Sequence, residues 1–251
     1  MIDIAIQYPF LLFKRKAKGS APTSWEDLTE RQFIAISRTV DGLEPDFRFM
    51  SILTGIKESL LKKLPPFSLL KLTEGIEFIG KAGNVYSRYV VRELPGTDFI
   101  APKPKLDSLS FGQFIFADAY YSDWMIGKDI KQLNNLVATL YLLPGEKFDS
   151  DTIAERVWTI CNIDLDIRKA VAFNYGLILT WLQGCYPLIF REPDHNVDTG
   201  LKPVSTSRSG WLTLFESMVG DDLINRERYA ELPIHTVLRH LTTKYKENAR
   251  R

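Results

Sequence analysis

The run from Ala170 to Phe190, AVAFNYGLILTWLQGCYPLIF, contains no charged residue, and it constrains the rest of the chain more than any other stretch. Arg168 and Lys169 bound it on one side and Arg191 on the other. So apolar a run must leave water, in a protein core or in a bilayer. A membrane-spanning helix needs about 20 residues, so the length alone allows either. Asn174 and Gln183 lie inside the run, two glycines interrupt it, and Pro187 breaks its last turn. These features favour a buried core helix, against which the chain's many amphipathic segments can pack.

The remaining segments read mostly as helices. Residues 3–13 (DIAIQYPFLLF) are β-prone but interrupted by Pro9, which suggests an extended arm or an edge strand. Lys14, Arg15, Lys16 and Lys18 follow as a basic cluster, expected to be a solvated loop. Thr29 and Gln32 have capping-box spacing ahead of a helix with Phe33, Ile36 and Val40 on one face. Asp41-Gly42 should end it, Pro45 should open another that stops at Gly55, and the helical period continues through 56–64 and 67–79. Residues 85–107 change character: VYSRYVV is β-prone, and Pro95-Gly96, Pro102 and Pro104 follow. This segment is expected to cross the surface as an extended connector, with room for one small hairpin.

Ser110 and Gln113 mark a second capping box, before Phe114, Ala117, Tyr121 and Trp124 at helical spacing. A helix over 130–142 ends at Pro144-Gly145, and Asp151 or Thr152 caps one carrying Ile153, Val157, Trp158 and Cys161. Asp164 and Asp166 suit the N-terminal end of the central helix. Residues 191–210 have almost no large apolar side chains and read as a mobile loop. Trp211, Leu214, Phe215 and Met218 mark a short amphipathic helix, and Pro233 opens a last one. The expected architecture is a mostly α multi-helix bundle with a β-prone N-terminal arm. Its regions are 1–84, an extended connector at 85–107, and 108–251, with one continuous domain as the alternative.

Chemistry is harder to find. Phosphate-cradling loops, dinucleotide fingerprints, nucleophile elbows and HExxH are absent. His235 and His240 are five apart, on different sides of a helix, and His195 follows Asp194 in the loop. Asp221 and Asp222 with Glu216 lack the alternating ligands of a calcium loop. Cys161 and Cys185 lie far apart in apolar contexts and read as two buried thiols. The net charge of +1 supplies no field to gather nucleic acid, and the aromatic helix around Tyr120, Tyr121 and Trp124 carries Asp118 and Asp123 rather than basic residues. The start, MIDIAIQYPF, has no basic n-region and does not read as a secretory signal. We therefore assign no catalytic, cofactor-binding or metal residues, and expect no nucleic-acid or membrane partner.

Several segments together resemble tail-assembly proteins of tailed bacteriophages and prophages. They are Trp25-Glu26-Asp27-Leu28-Thr29 running into Gln32-Phe33, and Phe49 to Ile56 followed by Leu60, Leu64 and Leu69 to Ile79. Leu136 to Tyr141 with Pro144, and Gly210-Trp211-Leu212 with Leu238 and Leu241, complete the set. The resemblance is to the tail-assembly chaperones and covers about half the chain, loosely. It implies a non-enzymatic protein of the bacterial host cytoplasm, or of the virion, that binds the tape-measure or tail-tube protein. On that reading Trp25, Phe33, Trp124, Trp211 and Phe215 are the candidate contacts, because large aromatics dominate interface energy. A structural connector or baseplate piece, and a helical enzyme with a dispersed site, are the alternatives.

Overall fold

A computed structural model describes residues 1–10, 13–40, 46–65, 72, 77–80, 87–190 and 208–248. The fold is mostly helical, and the chain divides into two compact units, Met1–Tyr86 and Ser87–Arg251.

Unit 1 opens with an antiparallel hairpin of β1 (Ile2–Phe10) and β2 (Phe13–Ala21), paired from Ile2↔Ala21 to Phe10↔Phe13. The basic cluster is thus strand and not loop. Lysines at 14, 16 and 18 alternate with Arg15, Ala17 and Gly19, and the period of two is that of a strand. Lys16 and Lys18 are exposed, as is Asp3 on the same face, whereas Ala21 on the other is buried. At Gly19 a Cβ would lie 2.3 Å from the carbonyl oxygen of Thr54, so only glycine lets β2 approach this closely.

The first capping box forms as expected. The Thr29 N–H donates to Gln32 Oε1 at 2.9 Å and the Gln32 N–H to Thr29 Oγ1 at 3.3 Å. It opens α1 (Glu30–Val40), which buries Phe33 and Ile36. The expected stop at Asp41-Gly42 and start at Pro45 lie outside the described residues. Asp46 caps α2 (Phe47–Thr54), accepting from the Phe49 N–H, and Gly55 ends it with a φ of 70°. Only one turn of the expected 56–64 helix forms, α3 (Glu58–Leu61). The helix over 67–79 lies outside the described residues except for Leu72 and a 3-10 turn at Glu77–Gly80, whose Phe78 packs edge-on against Trp25 at 5.6 Å.

Unit 2 is built on α4 (Phe111–Gly127), α5 (Ile130–Leu140), α6 (Ile153–Ile160) and α7 (Leu165–Cys185). It continues through α8 (Arg208–Val219), α9 (Arg226–Glu231) and α10 (Ile234–Asn248). The uncharged run becomes α7, a core helix that stops before Pro187 and buries Ala170, Val171, Tyr175, Ile178 and Leu182. Among the described residues, no helix is long and apolar enough to cross a membrane.

The segment expected to cross the surface instead enters this core. Tyr89, Val91, Leu94, Phe99 and Leu106 are buried. Asn174 holds the segment to α7: its Oδ1 accepts from the Val90 N–H at 2.8 Å, and its Nδ2 donates to the Arg88 carbonyl at 3.0 Å. Tyr141 adds a hydroxyl bond to the Val91 carbonyl. The polar residue inside the apolar run thus replaces the strand partner that residues 88–91 lack, which is why an alternating sequence is buried without a sheet.

Further corrections concern helix ends and cysteines. Ser110 caps α4, but Gln113 does not reach back; its Nε2 donates to the Thr139 carbonyl at 2.8 Å and links α4 to α5. Neither Asp151 nor Thr152 caps α6; a 3-10 turn at Ser150–Thr152 precedes it, with Asp149 accepting from the Asp151 N–H. Residues 191–207 of the expected loop lie outside the described residues, and 208–210 already belong to α8. Cys161 and Cys185 are exposed free thiols, not buried ones, because the core-facing stripes of α6 and α7 pass them by.

Candidate functional site

The five aromatic residues singled out by resemblance are all internal. Trp25 and Phe33 meet at 6.2 Å between ring centroids in unit 1. In unit 2, Trp211 is 1% exposed and packs edge-on against Phe114 at 5.1 Å and Phe111 at 6.2 Å. Phe215 lies against Phe111 at 6.1 Å, and Trp124 is buried beneath the Lys128 ammonium at 5.2 Å. As placed, these side chains hold each unit together and present no surface to a partner.

One tryptophan is different. Trp158 on α6 is 81% exposed, while Trp25, Trp124 and Trp211 are buried and Trp181 is half-buried. The reason is local. The inward face of α6 is Ile153, Arg156 and Ile160. Arg156 is drawn in by Glu146, with Nη1 to Oε1 at 2.6 Å, and its Nη2 donates to the Asp149 carbonyl at 3.2 Å. That arrangement turns Trp158 and Cys161 outward, although the sequence placed both on the apolar stripe. Other large apolar side chains also stand out, Ile126 (87% exposed) in the last turn of α4 and Ile224 (97% exposed) in the 3-10 turn before α9.

A buried polar cluster lies inside unit 2. Asp118 on α4 is 6% exposed, and its Oδ2 accepts from Trp211 Nε1 on α8 at 3.0 Å. Burial pushes the Asp118 carboxyl up to about 7, with the indole hydrogen bond acting in the other direction. Tyr175 and Tyr89 are buried in the same core, and neither hydroxyl has a hydrogen-bond partner among the described residues. Burial raises both phenols well above the usual range, and the charges of Asp118, Tyr89 and Tyr121 add to the effect at Tyr175. A carboxyl titrating near neutrality is suited to proton transfer. Here, however, the carboxyl is buried and bonded to the Trp211 indole, so it ties α8 to α4 rather than opening to a substrate.

His235 is also fully engaged. Its Nε2 lies 2.6 Å from the Lys105 carbonyl, which fixes that nitrogen as a donor, and its Nδ1 lies 2.8 Å from the Tyr186 hydroxyl. His195 falls outside the described residues. Asp222 accepts from Asn225 Nδ2 at 2.9 Å, a helix-turn contact. Among the described residues no group of three His, Cys, Asp or Glu is placed to hold a metal ion. A pocket of about 180 Å³ lies between α1 and α2 in unit 1, lined by Arg38, Asp46, Arg48 and Phe49 among others. It is smaller than the roughly 300–1,000 Å³ of typical small-molecule sites. Comparison with known proteins adds no relative: no family model, no curated protein and no solved structure matches this chain.

Proposed function

We propose that the chain is a non-enzymatic protein-binding component of phage or prophage tail assembly, which engages tape-measure or tail-tube protein before the tube polymerises. The observation that carries the protein-binding part is Trp158, a tryptophan left 81% exposed on a well-packed helix. Tryptophan is among the residues most enriched at interface hot spots, and exposing its ring to water is unfavourable unless a partner covers it. The bacteriophage part is supported by the resemblance of the segments around Trp25, Phe49, Leu136 and Trp211. Those segments form the cores of the two units, so the resemblance speaks for a shared helical framework and not for shared contacts.

Co-expression of the full chain with a tape-measure or tail-tube protein, followed by affinity capture, tests the reading. Stoichiometric recovery of either protein supports it. Recovery of neither, with the chain well folded, overturns it. Persistence of the chain in purified particles favours a structural virion component instead.

A further inference from the structure

The outward face of α6 has a charge as well as an aromatic ring. Glu155 lies three positions before Trp158, so these two side chains neighbour one another along one face, and Asp151 stands in the 3-10 turn that leads into the helix. All three are exposed, as are Asp149 and Asp164 at the two ends of the helix. The stretch 144–166 holds only two basic residues, and both are already engaged: Lys147 with Glu231 at 3.3 Å and Arg156 with Glu146 at 2.6 Å. No ion pair reaches Glu155 or Asp151 among the described residues. An exposed indole surrounded by uncompensated carboxylates is complementary to a cation, which the ring face attracts and the carboxylates pair with.

We propose that this face of α6 docks a basic amphipathic helix of a protein partner. A Lys or Arg of that helix lies over the Trp158 ring, and its neighbours pair with Glu155 and Asp151. The indole supplies most of the affinity, because it is the group that loses water on docking. The exposed carboxylates set the sign of the partner and speed its encounter. The proposal rests on the protein-binding reading above and gives it a contact surface.

The test uses the full chain and a labelled helical peptide of Leu and Lys with amphipathic spacing, compared with the same peptide carrying Glu for Lys. The expected result by fluorescence anisotropy is saturable binding of the Lys peptide and none of the Glu peptide. Affinity should fall with salt, and fall about tenfold or more in Trp158→Ala and in Glu155→Lys. Ile224→Ala, at another exposed apolar site, should bind as the native chain does. In the double variant D151K/E155K the preference should shift toward the Glu peptide. All of these positions are exposed, and circular dichroism checks that the variants fold. Equal binding by the native chain and Trp158→Ala, or no binding of the Lys peptide, overturns the proposal. The two readings fail separately. Capture of a tail protein that survives Trp158→Ala and Glu155→Lys retains tail assembly and discards the α6 surface. Peptide binding through Trp158 without any tail-protein capture does the reverse.

Discussion

Asp118→Asn should stabilise unit 2, by an amount that grows with pH. In the fold the Asp118 carboxyl titrates at about 7, against an ordinary value of 3.8. The raised value means that the fold prefers the protonated acid. This preference is fully present below about pH 4 and is lost as pH rises through about 7. The difference of about three pH units, at about 1.4 kcal/mol each, amounts to about 4 kcal/mol by pH 8. Asparagine keeps an oxygen to accept the Trp211 Nε1–H and carries no charge to bury. The variant should therefore match the native chain near pH 4 and exceed it by up to about 4 kcal/mol near pH 8. For a unit of this size that is a rise in Tm of about 10 °C. Urea unfolding followed by circular dichroism at about pH 4, 6 and 8 measures it, with the slope against urea expected to stay constant. Asp118→Ala is the contrast, since it removes the charge and leaves the buried indole N–H without an acceptor, costing about 1–3 kcal/mol where the native acid is neutral. A difference between Asn and Asp that does not vary with pH would refute the account of Asp118 as a buried titrating acid.

Three further outcomes follow from the same interior. Tyr175→Phe removes a buried hydroxyl that has no partner among the described residues and should raise stability by about 1 kcal/mol in urea unfolding. A loss would show that the hydroxyl is satisfied in solution. Gly176→Ala places a methyl 2.3 Å from the Tyr121 hydroxyl oxygen, and such overpacking should cost about 1–3 kcal/mol. Most of that cost should disappear in the double variant with Tyr121→Phe, and thermal melts of the four chains give the coupling. Asn174→Ala removes the acceptor of the Val90 N–H and a donor to the Arg88 carbonyl and should cost about 2–3 kcal/mol. Hydrogen exchange at Val90 should accelerate by more than at Phe114, in the core of α4.

The helices were legible because their signals are local. The Thr29–Gln32 box, the Ser110 cap, Gly55 and the turn at Pro187 act within a few residues, and each ends or begins an element as its chemistry dictates. The choice of core over bilayer for 170–190 was legible too, and Asn174 was its telling residue. What could not be read depends on partners far along the chain. The segment at 88–91 looked like surface strand because its real partner, the Asn174 amide, is 84 positions away from Val90. Asp118 read only as an acid interleaved in an aromatic helix, because its partner Trp211 lies 93 positions on. Aromatic side chains serve cores and interfaces equally well, so composition could not tell Trp211 from Trp158. Arg156, whose buried guanidinium sets the rotation of α6, carried a faint signal in Glu146 ten residues earlier.

The way residues 87–109 are held has a consequence for the order in which the chain can fold. Val90 is fixed by Asn174, and the Lys105 carbonyl by His235, 130 positions downstream. The start of α4 is likewise pinned by the end of the chain, with the Phe111 N–H donating to the Leu232 carbonyl and the Ile234 N–H to the Leu109 carbonyl. Closing loops of this length is slow, and none of these contacts can form until α7 and then α10 exist. On a ribosome, unit 1 can mature as soon as it emerges. The first residues of unit 2, with their buried Tyr89, Val91 and Leu94, must wait bare at least until α7 and its Asn174 are released. The segment most exposed to aggregation during synthesis is therefore one that the finished fold hides almost completely.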